Sequence, residues 1–389
     1  MTFPAAPHPH AFGSFPVKVR KVGAPLAAII ALGTLTALIL IVVTTVNPVG
    51  TIIGFILTSV AMTVVVLAYL WVDRWEPEPP RLLILAFLWG ASVAVVISVF
   101  FELVAESVLN PAATVDSGSS PVTVALSAPV IEEAAKGVFL LIMMTGRRRN
   151  ELNSLTDCLV YAGLVAAGFA WIEDIFYIAN GETLAASLVT AGLRLVMAPF
   201  AHPLFTTFTG IGVYFALQQR NALNKAACLV LGYAAAVLMH GLWNGSALLG
   251  FQWYFGVYLV WMVPVFGLTI LLAVRSRRRE QRVVADKLPG MVAAGVVTAN
   301  EATWLGSIRT RKLAIGEISR TAGKPAAKTV KRFAAQVVEL AFVRDRIDRG
   351  FGDQRVYALF NEEAQLVYAA RAAAGPSLQR LQTYRLPGT

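Results

Sequence analysis

Long apolar runs dominate this chain, and its polar residues are gathered into short clusters between them. Eight runs, at about 24–46, 50–72, 82–104, 122–145, 155–179, 200–218, 226–249 and 253–274, carry few charges. Each holds 18 or more residues, enough to cross a hydrocarbon core as helix. The pattern predicts an all-α, polytopic membrane protein of about eight transmembrane helices. The first run is longer than a signal-peptide core and lacks a convincing cleavage site, so it reads as retained. Leu184 to Leu217 is the exception, because one helix of that length would measure about 50 Å, too long for a bilayer. Pro199 and Pro203 are expected to break it. Residues 184–198, carrying Arg194, then form an interfacial or re-entrant segment, with a span from about Phe200. Irregular backbone at that depth is tolerated only where it is buried in protein or lines a wet cavity.

The charges between the runs set an orientation. Lys18, Arg20 and Lys21, then Arg74 and Arg81, Arg147 to Arg149, Arg220 with Lys225, and Arg275 to Arg279 all fall on one side if eight spans are real. The opposite loops hold no Lys or Arg, which predicts an integral plasma-membrane protein with both termini cytoplasmic. Three regions follow: a Pro-, His- and Lys-containing N-terminus, 1–23, expected to be disordered; a transmembrane core, 24–274; and a basic C-terminal region, 275–389. The last carries 21 Lys or Arg against 10 Asp or Glu, net +11, while residues 1–274 sum to −1. Helical patterns at 326–345 and 356–373 make it a mostly helical cytoplasmic tail. Its charge suits an anionic leaflet, at about 1 kcal/mol per basic residue near the surface. No nucleic-acid motif accompanies it, so the bilayer is the expected partner.

Composition agrees with a membrane class. The chain is 57% hydrophobic and 14% charged, with a mean hydropathy of +0.64, whereas soluble domains carry about 25% charged residues. Its two cysteines, Cys158 and Cys228, sit within spans and form neither a disulfide framework nor a CxxC site.

Against this background the fourth run, VTVALSAPVIEEAAKGVFLLIMMT, carries Glu132, Glu133 and Lys136 near its middle. One charge at the centre of a span costs about 2.5–3.5 kcal/mol on insertion scales. Polar groups on other spans can meet these: Glu173 on the fifth, His202 at the start of the sixth, and His240 with Asn244 on the seventh. Glu132 and Lys136 lie i,i+4 on one helix face, as do His240 and Asn244. At 1.5 Å per residue Glu132 is roughly 15 Å below the outer edge, and Glu173 and His240 are roughly 27 and 21 Å above the inner one, in a core about 30 Å thick. His202 is near the outer rim, so the set clusters between mid-membrane and the outer face. A carboxylate in an apolar cleft has raised proton affinity and suits a base that activates water. Two imidazoles and a carboxylate, here Glu173, His202 and His240, can hold one divalent metal such as zinc with a position open for water. His and Asn can instead donate to a developing oxyanion. Hydrolysis of a peptide bond is the reaction this set serves best. Taken singly, each residue has a plainer role: Glu132–Lys136 as a structural ion pair, His240–Asn244 as interhelical glue, Glu102, Glu106 and Asp157 as rim groups, Asp174 as a snorkelling one.

Four motifs in order, EExxK at Glu132–Lys136, FxxxE at Phe169–Glu173, HxxxxxxxG at His202–Gly210 and HxxxN at His240–Asn244, resemble the PrsW-type intramembrane proteases of the CAAX-prenyl-protease and bacteriocin-processing superfamily. The acidic segment Asp73 to Pro79 is also similar to the one following the second helix in that family. The resemblance covers roughly residues 50–275. It implies an endopeptidase that cuts membrane-anchored proteins, an anti-sigma factor among relatives. It further implies that Glu132 is the general base, that Glu133, Glu173, His202 and His240 are site residues, and that Asn244 is an oxyanion or metal-shell group. Glu173 stands where much of the superfamily has histidine, which leaves metal-assisted and metal-free hydrolysis both open. Other intramembrane proteases are poorly supported: HExxH and GxSG patterns are absent, and no span carries a GxGD, the one at Gly350–Asp353 lying in the C-terminal region. A proton-coupled transporter would use similar buried groups but should show two related halves, which are absent. A non-catalytic scaffold has no need for Glu132.

Overall fold

The computed structural model describes residues 24–75, 77–111 and 119–384. The expected disorder of 1–23 falls outside them. Helices make up nearly all of the described chain, and no strand occurs among the described residues. By contacts it divides at Val274/Arg275 into two compact units.

The membrane unit is built from α1 (Leu26–Val46), α2 (Pro48–Val72), α3 (Pro80–Leu109), α4 (121–143), α5 (Leu155–Ala179), α6 (Leu184–Ala191, continued by a π turn over Gly192–Met197), α7 (Ala201–Leu217), α8 (Ala222–Leu248) and the first part of α9 (Phe251–Ala293). Among the described residues seven stretches are long and apolar enough to span a membrane, with α6 and α7 counted together. The α4 helix is the eighth expected span. It is about 34 Å long at 1.5 Å per residue, but its three central charges set it apart from the apolar class. The break expected in 184–217 lies at Ala198–Phe200, where Ala198 leaves helical geometry (φ −125°, ψ 39°). Pro203 does not break the chain. It sits in the first turn of α7, where a missing N–H removes no helical hydrogen bond.

The hub is α5, almost entirely buried. Its start is fixed by a capping box, the Ser154 hydroxyl accepting from the Asp157 N–H and the Asp157 carboxylate accepting from Ser154 N–H at 2.6 Å. Asp157 is thereby a buried cap rather than a rim group. Small residues let neighbours approach: a Cβ on Gly168 would stand 1.9 Å from the Phe87 carbonyl, and one on Gly90 1.8 Å from that of Val165. Such close crossings supply the packing that the hydrophobic effect does not provide inside lipid. The outward faces of α1 and α2 leave Ile30, Leu38, Ile41, Ile52, Ile56 and Val60 exposed, as lipid contact requires.

The second unit comprises the end of α9 with α10 (Ala299–Leu305), α11 (Ile308–Arg346) and α12 (Gln354–Leu381). The helices run well beyond the patterns at 326–345 and 356–373, because exposed turns rich in Ala, Lys and Arg carry helix propensity without apolar periodicity. Gly323, at φ 86°, splits α11 in two. Trp304, Phe333, Val337, Leu340, Val367 and Leu378 are buried there, and Arg371 grips Glu301 through both guanidinium nitrogens at 2.7 and 3.0 Å.

Candidate active site

Five helices bring their polar side chains to one buried place. On α4 the i,i+3 and i,i+4 spacings let a single ammonium serve two acids: Lys136 Nζ lies 2.7 Å from Glu133 Oε1 and 3.1 Å from Glu132 Oε2. Lys136 and Glu133 are fully buried, and the ammonium rests 4.1 Å above the centre of the Phe169 ring. Burying a charge this deep requires paired and hydrogen-bonded partners, and Lys136 has a third in His202 Nδ1 at 3.0 Å.

On α7, His202 and Thr206 share a face. Thr206 donates to Glu133 Oε2 at 2.8 Å, and His202 Nε2 reaches Glu173 Oε2 at 2.5 Å. On α8, His240 Nδ1 lies 3.2 Å from Glu133 Oε1, its ring stacked on Phe205 with centroids 4.7 Å apart. The inner nitrogens of both histidines then face one oxygen: Glu132 Oε2 is 3.8 Å from His202 Nδ1 and 3.9 Å from His240 Nε2.

Glu132, Glu133, Glu173, His202 and His240 are therefore together. Asn244 stands apart in its bonding, its amide donating to the Val124 carbonyl at 3.1 Å. That carbonyl lies in a π turn of α4, Thr123–Ser127, which disrupts the regular i→i−4 ladder. Asp174, expected to snorkel, is buried and paired with Arg194. Glu106 accepts from Ser120 N–H at 3.1 Å and ties α3 to the start of α4. Two contributors have no place among the four motifs: Thr206, one turn after His202, and Arg194, which donates to Glu173 Oε2 at 2.7 Å. An arginine inside an apolar run is the signal that marks the second.

The residues suit a divalent metal, with one change from the expected set. Ligand atoms of Glu132, His202 and His240 lie within 4.8 Å of one another. Glu173 does not join that group; it holds the outer nitrogen of His202, as Glu133 holds that of His240. A carboxylate behind each histidine is the usual support of metal-ligating imidazoles. The single lone pair of His202 Nδ1 either accepts from Lys136 or meets a metal, so with an ion bound Lys136 would keep Glu133, its shorter contact.

A helical, membrane-spanning fold enclosing carboxylates, imidazoles and a lysine in its interior has the groups that an intramembrane hydrolase needs. Residues 78–269, just under half of the chain, match the family described as PrsW family intramembrane metalloprotease, which supports a PrsW-type intramembrane protease. Relatives agree. Protease PrsW of Geobacillus kaustophilus is 26% identical over 212 residues, covering 53% of this chain and 86% of the relative. Protease PrsW of Oceanobacillus iheyensis is 26% identical over 216 residues, covering 54% and 92%, and that of Clostridioides difficile 23% identical over 199 residues, covering 51% and 80%. No solved structure matches the chain significantly.

Proposed function

We propose that this protease hydrolyses a peptide bond of a membrane-anchored protein, with Glu132 taking the proton of the attacking water. The observation that carries the reading is that Glu132 Oε2 is the carboxylate atom faced by the inner nitrogens of both histidines. Among the described residues none donates to the other oxygen, Oε1, which leaves it for water. Glu133 is engaged by Lys136, Thr206 and His240, so it orients His240 and balances the lysine. Glu173 orients His202 in the same way. Glu132 (through Oε2), His202 and His240 would hold a divalent metal, which would supply Lewis-acid polarisation of the carbonyl. Without a metal, Lys136 is the group able to stabilise a developing oxyanion, because each imidazole spends its N–H on the acid behind it. The Asn244 amide gives one N–H to the Val124 carbonyl, and its second N–H is the donor it would offer in that role.

The substrate is read as a protein with one membrane span, an anti-sigma factor being the class suggested by the family resemblance. The basic loops support an orientation in the plasma membrane with both termini cytoplasmic. The test is a comparison of membrane proteomes from cells expressing the wild-type or the Glu132→Gln chain. One membrane protein shortened only by the wild type is expected; identical proteomes would refute the reading.

A further inference from the structure

We propose that Arg194 is a positioning residue for the hydrolysis, clamping the α6–α7 break so that His202 presents Nδ1 to the centre; the inference rests on the proteolytic reading above. Arg194 lies in the π turn that ends α6, and His202 in the first turn of α7, on either side of the irregular Ala198–Phe200 backbone. Both side chains end on the same atom, Glu173 Oε2, at 2.7 Å from Arg194 Nη2 and 2.5 Å from His202 Nε2. A single carboxylate oxygen on the rigid α5 helix thus ties together the two ends of a non-helical junction.

The guanidinium is fixed from three directions by that helix. Its Nε donates to Asp174, its Nη2 to Glu173, and its plane lies 4.1 Å from the centre of the Tyr177 ring. Residues 173, 174 and 177 line one side of α5, and a planar, forked donor engages two adjacent acids in a way a lysine ammonium cannot. Glu173 in turn accepts from the His202 Nε2–H. This fixes the tautomer and leaves Nδ1 unprotonated toward Lys136 and Glu132, where it lies 3.0 and 3.8 Å away. Without Arg194, Glu173 is held by His202 alone, and the α6 side of the junction loses its anchor on α5.

The test uses the full-length chain in detergent or proteoliposomes. Only four histidines are present, at 8, 10, 202 and 240, so 15N spectra of histidine-labelled protein resolve His202 once it is assigned with His202→Asn. Wild type is expected to show the Nε2–H tautomer at His202, and Arg194→Met a mixture of tautomers. On a single-span substrate Arg194→Met is expected to lower kcat about 10–100-fold, the usual loss when an outer partner of a site histidine is removed, with KM within about twofold. Arg194→Lys should restore part of kcat. In a Glu173→Gln background Arg194→Met should cost nothing further. A wild-type tautomer and kcat in Arg194→Met, or losses that add fully to those of Glu173→Gln, would overturn the proposal. If Arg194→Met does not fold, the tautomer of Arg194→Lys and Glu173→Gln decides the same question. Failure of the wild type itself to exceed Glu132→Gln in cleavage would sink the proteolytic reading instead, while the tautomer result would still stand.

Discussion

His202 and His240 meet edge to face, with ring centroids 5.0 Å apart and planes inclined by 86°. Each is anchored behind by a different acid, Glu173 for His202 and Glu133 for His240, so their inner nitrogens converge on Glu132 from two helices. This convergence predicts that a bound metal depends on both rings equally. Purified wild-type protein should carry close to one zinc per chain by elemental analysis, and His202→Ala and His240→Ala should each lose it. Chelation should abolish cleavage and added zinc restore it. Activity that survives complete metal removal would leave hydrolysis to Glu132 and the lysine alone.

Lys136 offers a second prediction, because among the described residues it is the one lysine or arginine in contact with both Glu132 and Glu133. Removing one partner of a buried ion pair typically costs about 3–5 kcal/mol. Lys136→Met should therefore lower the melting temperature in detergent sharply. Lys136→Met combined with Glu133→Gln should recover part of the loss, since one stranded charge is removed as well. Equal melting temperatures for wild type and Lys136→Met would show that the cluster is held by other means.

A third prediction concerns Glu78, in the turn before α3 and outside the spans. Burial pushes its carboxyl well above the ordinary 4.5, with Asp157 and Glu151 adding to the rise and the Tyr161 hydroxyl, 2.6 Å away, opposing it. A carboxyl whose folded pKa is raised contributes stability that is complete below its unfolded value and lost as pH climbs through the folded one. Stability should therefore fall as pH rises above about 4.5, and Glu78→Gln should flatten that dependence. A melting profile against pH that is unchanged by the substitution would contradict this.

Much of the arrangement could be read from residue order. Glu132, Glu133 and Lys136 announced themselves because charges are costly in an apolar run; i,i+4 spacing gave the Glu132–Lys136 pair, while the shorter i,i+3 contact to Glu133 is visible only in the folded helix. Glu173, His202 and His240 followed from the same reasoning. What spacing within a helix could not reveal was which nitrogen of each histidine faces inward, because that depends on contacts between helices. For this reason Glu173 stands behind His202 rather than in the His–His–Glu donor set, where Glu132 is found. Arg194 was visible only as a charge near the membrane; its partnership with Glu173 depends on a π turn and a break that hydropathy does not encode. Asn244 matched a motif, yet a carbonyl freed by another π turn holds its amide.

The unit boundary at Val274/Arg275 gives a fourth prediction. Deleting residues 281–389 should leave a membrane unit that still inserts and cleaves, since every group at the site lies before Val274. Loss of insertion on truncation would show the C-terminal unit to be integral to folding.

The most direct test is cleavage of a purified single-span substrate in proteoliposomes by wild type and by Glu132→Gln. A positioned general base typically contributes about 10²–10⁴ in rate. Glu132→Gln should lose cleavage by that order while keeping the helix content of the wild type, with a lower melting temperature because one acid facing Lys136 has lost its charge. Cleavage at the wild-type rate by a folded Glu132→Gln protein would contradict the assignment of Glu132 as the group that activates water.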